Sequence, residues 1–139
     1  MATIADRYTP KQPDVFTDFM TNLDLHPLSD DIAKVKNEQA IKQSIRNLIL
    51  TNVGERFFRP YLGSNVYKSL FEPLDGFVKN DIKTYIEDTI NAYEPRAQLI
   101  SVNVYDNEDD GNSITATIQF SIINTGQDAI LNLILRRVR

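Results

Sequence analysis

The chain has 139 residues, 42% hydrophobic and 24% charged, which suits one folded domain and leaves no room for a second full core. It has no cysteine, which excludes thiolate catalysis, thiolate metal sites and a disulfide framework, and which fits a reducing compartment. The net charge of −4 is uneven: residues 1–70 are nearly balanced and residues 71–139 are acidic, apart from Arg136, Arg137 and Arg139. A protein that tracks a phosphate backbone carries a basic face, so protein partners are expected and nucleic acid is not. No apolar run approaches the roughly 18 residues of a membrane span, and residues 1–10 hold no apolar signal core. Neither a membrane span nor a secretory leader is expected.

Residues 1–36, interrupted by Pro10, Pro13 and Pro27, read as an N-terminal arm or lead-in. A short helix is expected over 14–25, with Val15, Phe16, Phe19 and Met20 as its apolar members. The main domain is expected over 37–139. Asn37 is the candidate N-cap of an amphipathic helix over about 38–52, where Ala40, Ile41, Ile45, Leu48 and Ile49 recur at helical spacing, with Gly54 closing it. The aromatic segment Glu55 to Gly63 is extended. Ser64 then starts a short helix that ends near Pro73. A second long helix is expected over 77–93, its buried stripe formed by Val78, Ile82, Tyr85, Ile86, Thr89, Ile90 and Tyr93.

From there the period changes from 3.6 to 2. Ile100, Val102 and Val104 alternate with polar residues, as do Ile114, Ala116, Ile118, Phe120 and Ile122, and an acidic turn between the two runs makes an antiparallel hairpin. A third strand is expected over 128–137. Helices followed by a three-stranded antiparallel meander make an α+β fold, two long helices and a short one packed on the sheet. The third strand is apolar on both faces, with Ile130 and Ile134 on one and Leu131, Leu133 and Leu135 on the other. Either the helices and the arm cover both sides, or a partner completes one.

Glu94-Pro95-Arg96 stands where the second long helix meets the first strand. Pro95 ends the helix and fixes a carboxylate and a guanidinium at a rigid corner expected to point away from the helix axis. A planar guanidinium suits carboxylates or exposed helix-end carbonyls on a partner. The plainer alternative is a helix stop with two solvated charges.

Asn91-Ala92-Tyr93-Glu94-Pro95-Arg96 followed by an alternating strand resembles the signature of the small baseplate wedge, or sheath-initiator, proteins of contractile phage tails and of their type VI secretion counterparts. Gly54-Glu55-Arg56, Phe58-Arg59-Pro60, Tyr61-Leu62-Gly63-Ser64 and Leu70-Phe71-Glu72 follow that family's order, and the resemblance covers about residues 37–137. It implies a non-enzymatic structural subunit that resides in the virion tail baseplate and is made in the host cytoplasm. Such a subunit joins wedge subunits to the first ring of tail sheath subunits and nucleates the sheath, with tail tube or hub proteins as further partners. It also implies that Glu94, Pro95 and Arg96 contact the wedge, while Leu131, Leu133, Leu135, Arg136 and Arg137 belong to the sheath contact.

Members of this family have been labelled lysozymes, so a hydrolase is the alternative. It would need two carboxylates facing across a cleft, one with a raised pKa. Glu55, Glu72 and Glu94 are candidates by residue type only, and the chain has no tryptophan to stack on a sugar. Asp106 to Asn112 begins like a calcium loop, but Thr117 stands where the closing bidentate Glu is required. His26, the only histidine, stands in the lead-in. No cofactor or metal is expected.

Overall fold

The protein is described over residues 16–137 by a computed structural model. The helix expected over 14–25 is not formed, and Asp14 and Val15 lie outside the described residues. Thr17–Phe19 (β1) instead pairs antiparallel with Lys34–Lys36 (β2). Side chains from the helix that follows hold this segment extended. Asn37 Oδ1 accepts from the Phe16 N–H (3.2 Å), Gln43 Oε1 accepts from the Thr21 N–H (3.1 Å), and Gln43 Nε2 donates to the Phe19 carbonyl (2.6 Å). A helix would have turned those backbone groups inward, so these tertiary hydrogen bonds override a weak local propensity.

Asn37 does precede the first long helix, Glu38–Leu50 (α1), but its side chain makes no capping bond because it is spent on Phe16. Ala40, Ile41, Ile45 and Ile49 are buried along one face. The helix stops short of the expected end. Thr51 adopts extended geometry, and its N–H and hydroxyl both donate to the Asn47 carbonyl (3.0 and 2.7 Å). Gly54, at φ 92°, therefore serves the loop beyond and not the helix end. The short helix Val66–Ser69 (α2) starts after Asn65. Ser64, expected as its cap, stands one residue earlier, where its hydroxyl accepts from the Val66 N–H (3.5 Å) and donates to the Ile49 carbonyl (2.6 Å). The third helix, Gly76–Tyr93 (α3), is capped by Asp75, whose side chain accepts from the Val78 N–H. It buries Val78, Ile82, Ile86, Thr89 and Ile90.

Ala97–Asp106 (β3), Ser113–Ile122 (β4) and Asp128–Arg136 (β5) form an antiparallel meander in the order β3-β4-β5. The fold is thus α+β, with three helices and a C-terminal three-stranded sheet. The inner face of the sheet meets α1 and α3, and Ile114, Ile118, Phe120 and Ile122 of β4 stand at the centre of the core. Each such side chain contributes roughly 1.5–3 kcal/mol by leaving water.

β3 departs from simple alternation. Leu99 pairs with Phe120 and Ser101 with Gln119, so Ile100 is a bulge without a partner. The extra residue reverses the parity of the strand: Ala97 and Leu99 face inward before it, and Val102 and Val104 after it. Ile100, expected in the core, is exposed.

Candidate functional site

The Glu94 corner is built from the end of α3. Glu94 closes the helix through its N–H to the Ile90 carbonyl (2.9 Å), and Pro95 forbids another turn. The chain bends at once into β3, with the Ala97 N–H on the Glu94 carbonyl (3.3 Å) and the Ile123 N–H on the Arg96 carbonyl (3.1 Å). The Glu94 side chain turns inward and is 2% exposed. Its carboxylate takes a two-pronged grip from Arg96, Nε to Oε1 at 2.6 Å and Nη2 to Oε2 at 2.9 Å.

Burial on its own would raise the pKa of this carboxyl. Hydrogen bonds from Arg96 and Ser44, together with the guanidinium charge, outweigh it and hold the pKa below its ordinary value. The same carboxylate raises the pKa of Arg96. On its other side the guanidinium lies 5.5 Å from the centroid of the Phe16 ring, so the N-terminal strand region closes over the corner.

The corner therefore differs from both sequence readings: Glu94 neither points outward nor lies in solvent. It is a positioning residue that fixes Arg96, and the surface left at the corner consists of exposed Pro95 and part of Arg96.

At the other end of the chain, β5 presents a similar correction. Leu133 and Leu135, expected at a partner contact, are buried in the chain's own core, and Leu131 packs against it. The alternation of the strand places Ile130 and Ile134 on the opposite face, 53% and 63% exposed. One side of β5 is thus covered by the helices and the other is open. Among the described residues no strand pairs with its outer edge. Arg136 is exposed with Nε 3.5 Å from Asp110, and Arg137 donates to the Phe71 carbonyl (3.0 Å).

The remaining candidates are placed as follows. The acidic turn is knit together by its own side chains: Asn107 Oδ1 accepts from the Asp109 N–H, and Asp110 Oδ1 from the Asn112 N–H. Asp106 pairs with Lys79 at 2.7 Å. Among the described residues no group of three His, Cys, Asp or Glu side chains converges as a metal site requires. Glu55 accepts from the Asn52 N–H (2.9 Å), and Glu72 is exposed. With the Glu94 pKa lowered, that carboxyl is opposite in character to the general acid of a glycosidase. His26 is exposed, and its Nδ1 accepts from the Leu28 N–H.

The segment Glu55 to Gly63, expected to be extended, is a loop of successive turns, with the Arg59 N–H on the Arg56 carbonyl and the Leu62 N–H on the Arg59 carbonyl, and it projects Phe57 and Phe58 into solvent. The adjacent aromatic pair was visible in the sequence, but its exposure was not.

A family model described as "Baseplate wedge protein gp25" matches residues 35–127, a span that holds α1, the loop, the Glu94 corner and the first two strands of the sheet. The chain belongs to this family. It is thus a structural baseplate component of contractile injection systems. The baseplate wedge protein gp25 of Enterobacteria phage T4 is 28% identical over 128 residues, covering 92% of this chain and 89% of that one. Among solved structures, a chain of the anti-feeding prophage baseplate superposes with a TM-score of 0.70 at 24% identity, over 77% of this chain and 85% of that one. A protein from Geobacter sulfurreducens described as a tail lysozyme gives 0.68 at 24% identity, over 73% and 92%. At such identities the two structural likenesses speak for the fold alone. β5 lies beyond the span of the family model, and its open face is a property of this structure.

Proposed function

We propose that the chain links the wedge core of a tail baseplate to the first ring of sheath subunits, and that it starts sheath polymerisation. The observation that carries this reading is β5, a nine-residue edge strand whose outer edge is unpaired among the described residues and which carries two exposed isoleucines. An uncovered apolar edge is an aggregation hazard that proteins normally blunt with charge or proline. A strand added from a sheath subunit would pair with the free backbone and cover Ile130 and Ile134. The wedge contact falls at the start of the opposite edge strand, β3, at Pro95 and Arg96, where the grip of Glu94 holds the guanidinium in one orientation. Holding a planar donor group still before it binds reduces the ordering entropy of the complex.

The test is Ile130→Lys combined with Ile134→Lys, followed by electron microscopy of particles assembled with the variant. Both side chains are exposed, so the fold is retained. Baseplates should form and sheaths should be missing or stunted. Sheaths of normal number and length would refute the role given to β5.

A further inference from the structure

The loop over residues 52–63 carries an interaction surface of its own. Its base is clamped: the Ser64 N–H meets the Thr51 carbonyl (2.9 Å), the Glu55 N–H meets the Asn52 carbonyl (3.1 Å), and the Gly54 N–H reaches the Pro60 carbonyl. Gly63 sits at φ 130°, where a Cβ would collide with the Thr51 carbonyl, so only glycine allows the two strands of the loop to approach. The Tyr93 hydroxyl donates to the Tyr61 carbonyl (2.7 Å) and ties the loop to the last turn of α3. On this braced support Phe57 is 100% exposed and Phe58 99% exposed.

A free aromatic pair on a slack loop would fold back on the core, since each ring can remove 150–250 Å² from water. Here the bracing holds both rings out. Arg56 and Arg59 flank them, and neither is in an ion pair among the described residues. Aromatic residues and arginine are the side chains that dominate interface hot spots.

We propose that this loop is a docking finger, with Phe57 and Phe58 entering an apolar cleft rimmed by carboxylates on a neighbouring wedge protein. The proposal rests on the wedge reading above, and two observations select this occupant. Tyr93, which holds the loop, immediately precedes Glu94-Pro95-Arg96, so the finger is anchored at the same end of α3 as the corner. The arginines beside the rings call for acidic groups on the partner.

The test uses the full chain and the other wedge proteins of the same particle, co-expressed and purified, with affinity measured by titration. Each anchoring ring accounts for roughly tenfold or more in Kd, so Phe57→Ser with Phe58→Ser should bind roughly a hundredfold more weakly. Its circular dichroism should match that of the wild type, since neither ring is in the core. Arg56→Gln with Arg59→Gln should also weaken binding and remove most of its salt dependence. Phe77→Ser, which removes an exposed ring at the far end of α3, should bind as the wild type does.

A wild-type chain that binds no wedge protein refutes the wedge reading itself. Binding that persists in the double phenylalanine variant leaves that reading intact and overturns the finger. Self-association of the wild type in sedimentation, or its flotation with anionic phospholipid vesicles, lost in either case with the two rings, would assign the loop another occupant and overturn the proposal.

Discussion

Arg96→Ala isolates the burial of a charge. In the wild type the Glu94 carboxylate, 2% exposed, is held by two guanidinium hydrogen bonds and one from Ser44. Truncating Arg96 leaves the charge in place with most of its compensation gone. Removing one partner of a buried pair costs about 3–5 kcal/mol. Because part of the guanidinium is open to water, which can enter the space it vacates, we expect the low end of that range. Loss of the contact over Phe16 adds about 0.5 kcal/mol. The total of about 3.5 kcal/mol corresponds to a Tm drop of roughly 7–14 °C for a domain of this size.

The penalty should depend on pH. In the wild type the folded-state pKa of Glu94 lies below the ordinary value of 4.5, so the stabilisation is present above that value and is lost as pH falls through the lower one. In the variant burial is opposed only by the Ser44 hydrogen bond and the backbone of residue 96, and the folded pKa rises relative to the wild type. The variant therefore recovers as pH drops toward 4 and its carboxyl protonates. Urea melts of both proteins at pH 7 and pH 4 check this. A penalty of the same size at both would refute the buried-charge argument, and wild-type stability at pH 7 would show that Glu94 needs no partner.

Gly63→Ala places a Cβ against the Thr51 carbonyl at a φ that alanine avoids, and should cost about 2–3 kcal/mol by thermal melt while displacing the aromatic loop. Deleting Ile100 removes the bulge and leaves every other residue of β3 facing as before, so it should cost less than about 1 kcal/mol in urea denaturation. Deleting Val102 moves Ser101 into its buried position and should cost about 2–4 kcal/mol. Equal effects of the two deletions would contradict the parity reversal.

Periodicity alone was enough to place α1, α3 and the three strands of the meander, because each pattern is long and belongs to an element whose one face is buried. The order of short motifs around Glu94-Pro95-Arg96 was enough to place the chain in its family. Four particulars were decided by tertiary contact. Residues 17–19 are extended because Asn37 and Gln43, distant in sequence, take up the backbone groups nearby. Ile100 faces water because a bulge, invisible in the hydrophobic pattern, shifts the strand by one residue. In β5 both faces are apolar, and only packing against the helices decided that Leu133 and Leu135 are core while Ile130 and Ile134 are open. Proline sufficed to end α3 at Glu94, but it could not say which way the carboxylate would turn. The location of Ser44 and Arg96 in space decided that, since a buried charge goes where its hydrogen-bond donors are.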